Sequence, residues 1–264
     1  LSINSTNPVE RLLNIMRRLR APDGCPWDRE QTIESLRSNL VEETYETIDA
    51  MDSGDRSLLC EELGDLLLQI VFQAQICDEE GAFNFNDVVT GIGDKLVRRH
   101  PHVFGTVQAD TSGEVLKNWE VIKKTEKGGD TPRSLVAGIP RHLPALMKAA
   151  LAQKRVARAG FEWDGVADVA AKLEEELAEV KAALAAGNPA ALKEELGDLI
   201  FSAVNLVRYL GFDAEEVLNE NIAKFMRRFQ ALEARLNAAG KKPEECAPAE
   251  LDAVWNAVKE SEKS

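Results

Sequence analysis

Two glutamate blocks carry the first chemical signal in this sequence. Glu42, Glu43 and Glu46 form Glu-Glu-x-x-Glu, and Glu175, Glu176 and Glu179 repeat the pattern 133 residues later. A second acidic pair follows each block at the same offset: Glu62 and Asp65 in EELGDLLLQIVF, then Glu195 and Asp198 in EELGDLIFSAVN. Acids gathered in a half-buried place repel one another and are poorly solvated, so they are either protonated or held by cations. Carboxylate oxygens without His or Cys suit hard ions, Mg2+ first and Mn2+ second. The di-iron alternative needs Glu-x-x-His, and none of His100, His102 and His142 follows a glutamate at that spacing. A single Glu-rich helix face is ordinarily solvated surface. A second acidic pair on an otherwise apolar helix, and recurrence of the whole set, favour a metal site instead.

The elements that must position these acids are helices. Apolar residues recur at three- and four-residue spacing, and alternating strand patterns are scarce. Leu59, Leu63, Leu66, Leu67, Ile70 and Ala74 form one such stripe. The segments DSGDRS and AAGNPA each separate two helical stretches, which makes each a helical hairpin. Gly54 is midway between Glu46 and Glu62, and Gly187 is midway between Glu179 and Glu195. Residues equidistant from an antiparallel turn lie at one level, so the four acids of each half converge about 12 Å from the turn. Within each helix, acids three apart share a face.

Positive and aromatic residues repeat as well. Lys95 and Arg99 in KLVRRH return as Lys224 and Arg228 in KFMRRF, and Trp119 in WEVIKKTEK returns as Trp255 in WNAVKESEK. Any one of these reads most simply as surface charge or core ring. Recurring beside an acidic cluster, cations suit phosphate and an indole suits a stacked base. Lys172, three residues before Glu175, is a further phosphate candidate, with Asn39 at the matching place in the first half. His100 and His102 sit in RRHPHVFG, where Pro101 ends a helix, so they cap or pack. No Gly-x-x-x-x-Gly-Lys-Ser/Thr loop is present.

The chain thus reads as one helical module duplicated: an all-α fold of antiparallel helix hairpins forming bundles, in modules 1–132 and 133–264, with the linker GGDTPRSLVAGIP between them. Its 264 residues are 44% hydrophobic, which supports packed cores, and its longest apolar run is interrupted by glutamines and too short for a membrane span. A net charge of −13 excludes nucleic acid as a general partner. Four scattered cysteines without a Cys-x-x-Cys pair, and no visible secretory signal, point to the cytoplasm.

Together these motifs resemble the MazG family of nucleoside triphosphate pyrophosphohydrolases. The likeness is carried by GCPWDREQT from Gly24, both Glu-Glu-x-x-Glu blocks, both ELGDL strings and DKLVRRHPHVFG from Asp94, and it spans nearly the whole chain. The resemblance implies a homodimer that hydrolyses nucleoside triphosphates to monophosphate and pyrophosphate with Mg2+, in the housecleaning of nucleotide pools. It implies that Glu176, Glu179, Glu195 and Asp198, and in the first half Glu43, Glu46, Glu62 and Asp65, ligate the metal. Glu175 and Glu42 then ligate a second ion or orient the attacking water. Lys172, Lys224 and Arg228 hold phosphates and Trp255 the base, with Lys95, Arg99 and Trp119 as first-half counterparts. Asn39 in place of a lysine, and Ile33 where many relatives are polar, favour the second module as the principal catalyst. The rivals are a non-catalytic acidic regulatory or interaction module, and a phosphatase that releases orthophosphate from the γ end.

Overall fold

A computed structural model describes residues 5–126 and 134–262, and every regular element among them is a helix. The chain divides into two compact units, Leu1–Thr131 and Pro132–Ser264. The expected boundary at 132/133 falls outside the described residues.

In the first unit the elements are α1 (Pro8–Arg20), α2 (Pro26–Glu30), α3 (Leu36–Ser53), α4 (Arg56–Glu79), α5 (Phe85–Arg99), α6 (Pro101–Phe104) and α7 (Ser112–Glu126). α3 and α4 form the central hairpin. α3 stops at Gly54, whose φ of 72° is left-handed backbone that glycine adopts without a Cβ penalty. α4 starts at once, because Asp55 Oδ1 accepts from the backbone N–H of Ser57 and Leu58 at 2.8 and 3.3 Å. Such a short reversal leaves the two helices side by side. The core below them is Met16, Leu36, Val71, Phe72 and Ile76, with Leu12, Leu13, Ile33, Leu68 and Phe85 against it.

The stripe that marks α4 as a helix is not the face this core covers. Ala74 is buried, but Leu63, Leu67 and Ile70 are exposed, and the buried face runs through Gln69, Val71, Phe72, Ile76 and Cys77. A helix apolar on most sides offers several candidate faces, and neighbours rather than periodicity decide which is covered. Arg20 fastens the GCPWDREQT segment. Its guanidinium contacts both oxygens of Glu79, lies over the Phe72 ring and donates to the carbonyls of Asp28 and Gln31.

The second unit contains α8 (Ala145–Ala157), α9 (Val166–Ala185), α10 (Pro189–Tyr209), α11 (Ala214–Ala238), a 3-10 turn (Pro243–Glu245) and α12 (Pro248–Ser261). α9 and α10 form its hairpin. The reversal uses the same devices: Gly187 at φ 62°, then Asn188 Oδ1 accepting from Ala190 and Ala191 N–H, with Pro189 at the first helical position. Leu232, Leu236 and Val258 join α11 to α12, packed by Leu251, Val254 and Trp255. All four cysteines are free thiols. No described helix is long and apolar enough to cross a membrane.

Candidate metal centres

Each hairpin gathers acids from both of its helices. In the first unit one carboxylate oxygen each from Glu43 on α3 and from Glu62 and Asp65 on α4 lies within 4.8 Å of the others. In the second unit Glu176 and Glu179 on α9 and Glu195 on α10 meet the same limit. Glu46 and Asp198 lie outside these triads, on the exposed side. Both still act on them through charge: Glu46 raises the pKa of Glu43 and Glu62, and Asp198 that of Glu195. Burial is the larger cause in all three cases, since it penalises the charged form before repulsion adds to it. Glu42 and Glu175 are exposed beside their clusters.

Two residues not singled out from the sequence hold the first cluster. Thr47 is buried between the helices; its hydroxyl donates to the Glu43 carbonyl at 2.7 Å and lies 3.4 Å from that of Glu62. Gln69 Nε2 donates to Glu43 Oε1 at 3.5 Å. Both fall on helix faces that sequence alone reads as core, so only their polarity at a buried phase hinted at a role.

The second cluster is neutralised differently. Lys172 Nζ lies 2.9 Å from Glu176 Oε1 and 2.9 Å from Glu175 Oε1. Hydrogen bonds to Glu176 and then Glu175 raise the lysine's pKa, so it stays charged. Glu176 is only 5% exposed, which makes this ammonium the counter-charge of a buried acid.

The remaining sequence candidates lie on α5, α7, α11 and α12, and among them only Arg99 and Trp119 are in contact within the described residues. Arg99 contacts Glu126 with Nη2–Oε2 at 2.6 Å and lies 5.6 Å from the Trp119 ring centre. Arg98 contacts the same carboxylate, and these hydrogen bonds, Arg99's first, hold Glu126 down to about 2. Arg228 repeats the arrangement with Glu262 at 2.6 Å, again lowering the acid's pKa. Trp255 packs on Phe225, ring centres 5.4 Å apart, at the edge of the core. Lys95 and Lys224 are exposed on α5 and α11. Glu126 and Glu262 were readable in advance: they are 136 apart, the offset that relates Trp119 to Trp255. His100 caps α5, with Nδ1 2.7 Å from the Leu96 carbonyl, rather than joining either acid cluster.

Paired helical hairpins, each with a carboxylate triad free of His and Cys, define an all-α protein with two sites suited to a hard divalent cation. The MazG nucleotide pyrophosphohydrolase domain matches residues 31–104 and 165–232, once in each unit. A nucleoside triphosphate pyrophosphohydrolase of Escherichia coli (strain K12) is 47% identical over 259 residues, covering 97% of this chain and 98% of that one. The Thermotoga maritima protein named nucleoside triphosphate pyrophosphohydrolase/pyrophosphatase MazG is 45% identical, with 95% of each chain covered. A crystal structure of a MazG-related protein from Thermotoga maritima aligns at a TM-score of 0.39 and 29% identity, over 44% of this chain and 98% of that one. The chain belongs to the MazG family of nucleotide pyrophosphohydrolases.

Proposed function

We propose that this protein hydrolyses nucleoside triphosphates to the monophosphate and pyrophosphate, with Mg2+ as its ion and Mn2+ as a substitute. The observation that carries the reading is the meeting of Glu176, Glu179 and Glu195 from two antiparallel helices. Oxygen-only ligands fit a hard cation, and the buried, unpartnered carbonyl oxygen of Gln69 beside the first triad fits a hydrated one. Each proposed module, 1–132 and 133–264, carries one site. In the second, Glu176, Glu179, Glu195 and Asp198 hold the ion; in the first, Glu43, Glu46, Glu62 and Asp65 do.

When bound, the ion neutralises the triphosphate and polarises its phosphorus centres. Glu175 is the acceptor for the proton of the attacking water, and Glu42 takes that place in the first module. Water adds at the α-phosphorus, the bond to the bridging oxygen breaks, and pyrophosphate leaves. With Glu176 holding the ion, Lys172 would be free to turn from Glu176 and Glu175 towards the phosphates. Lys224 and Arg228 neutralise the leaving group. Arg228 spends Nε and Nη2 on Glu262, and its other N–H groups remain for phosphate. The half-buried Trp255 offers its ring to the base; Lys95, Arg99 and Trp119 are the first-module counterparts.

The second module is the principal catalyst, because Lys172 has no cationic equivalent at Asn39. The exposed apolar residues Leu63, Leu67 and Ile70, and Leu196, Ile200 and Phe201 in the other hairpin, support a homodimer in which a second copy covers them. The proposed setting is the cytoplasm, with nucleotide housecleaning as the role and no nucleic acid bound. A panel of ordinary and modified triphosphates with Mg2+ tests the reaction. Monophosphate plus pyrophosphate is expected; diphosphate plus orthophosphate replaces the reading with γ-phosphatase chemistry.

A further inference from the structure

Gln69 follows Asp65 by four residues on α4 and faces inward, only 5% exposed. Its amide nitrogen donates to Glu43 Oε1 at 3.5 Å. The carboxylate fixes which way the amide points, because an acceptor oxygen takes only the N–H side. Gln69 Oε1 is then left buried without a donor among the described residues. A position needing only packing would be filled by Leu or Met, which bury no unpaired acceptor. In the second half the matching residue, 133 further on, is Ser202, and the acid equivalent to Glu43 is met instead by Lys172.

We infer that Gln69 is a positioning residue of the first acid site: its amide steadies the Glu43 carboxylate beside Glu62 and Asp65, and its unpaired carbonyl oxygen accepts from a water in the cation's hydration shell. The inference rests on the acid clusters being cation sites. Mg2+ keeps several of its waters when a protein offers few carboxylates. Those waters are strong donors, because the ion withdraws electron density from them. A buried acceptor beside a ligating carboxylate is matched to that shell, and partners of this kind orient ligands and strengthen binding. Serine at position 202 is too short to serve both functions, so the arrangement belongs to the first module alone.

The test uses the full chain carrying Glu176→Gln and Glu195→Gln, which leaves the first cluster to bind Mn2+. Adding Gln69→Met should weaken Mn2+ binding roughly ten-fold. It should also alter the relaxation of water protons by the bound Mn2+, a signal that a packing role would not move. The melting temperature of the metal-free chain should hold or rise, because the unpaired acceptor is gone. Gln69→Leu should behave alike and decides the matter if the Met variant does not fold. Unchanged Mn2+ affinity and unchanged water relaxation overturn the inference alone. If the chain with Gln69 intact binds no Mn2+, the reading of the first cluster as a cation site falls, and the inference with it.

Discussion

The two acid clusters share two corners and differ at the third. Glu43 matches Glu176 and Glu62 matches Glu195, but Asp65 completes the first triad where Glu179 completes the second. The first therefore draws two acids from its second helix, the other two from its first. Their counter-charges differ too. Glu43 has an uncharged amide from Gln69, whereas Glu176 has the ammonium of Lys172. Duplication kept the ring of acids and left the means of stabilising it to diverge. On the proposed reading, an amide would leave the negative charge of Glu43 for an incoming ion, whereas the ammonium of Lys172 would have to be displaced by it.

The largest expected effect is on turnover. Glu176→Ala should lower pyrophosphate release about a hundred-fold or more, while Glu43→Ala should change it little. Equal losses would break the asymmetry and make the sites partners in one reaction. Next comes Lys172→Met, which strands a buried acid. It should lower the melting temperature of the metal-free chain, because Glu176 stays buried without its counter-charge. The same variant should tighten Mg2+ binding and weaken triphosphate binding, readable by calorimetry. Asn39→Lys, the reciprocal change, should weaken Mg2+ binding at the first cluster.

A third test compares the outer-helix ion pairs. The depressed pKa of Glu126 contributes stability that is complete above the ordinary value of 4.5 and lost as pH falls towards about 2. Glu126→Gln should thus lower the melting temperature at neutral pH, and the gap to the parent should close over that acid range. A gap that persists at the lowest pH would assign the effect to packing. The smallest change expected is from Thr47→Val. The second half already has Val180 at the matching position, so the loss of one hydrogen bond should cost about 0.5–1.5 kcal/mol in a denaturant melt.

Much of this architecture was readable beforehand. Gly54 and Gly187, midway between acids, marked both reversals, because antiparallel helices count outward from their turn. The helical class followed from periodicity, and the duplication from constant offsets. Which acids close each triad was not readable, because the choice between Asp65 and Glu179 depends on side-chain direction within a helix face rather than on spacing. Gln69 and Thr47 were hidden for a related reason: polar residues at a buried phase look like imperfections in an apolar pattern until a partner comes into view. The stripe through Leu63, Leu67 and Ile70 marked α4 as a helix but not its covered side, because a broadly apolar helix does not declare which side its neighbours occupy. Lys172 was noticed for its charge, yet its spacing three and four residues ahead of Glu175 and Glu176 already put it on them.

The tight hairpin reversals also set where these modules can change length. Loops are ordinarily where a protein tolerates added residues. Here the stretch from Gly54 to Glu62 works as a ruler: a residue added within α4 ahead of Glu62 would swing every later acid by about 100° around the helix axis. The same holds between Gly187 and Glu195. A change in length should therefore be tolerated outside the two rulers, and the interval from reversal to acid is the dimension that each hairpin cannot renegotiate.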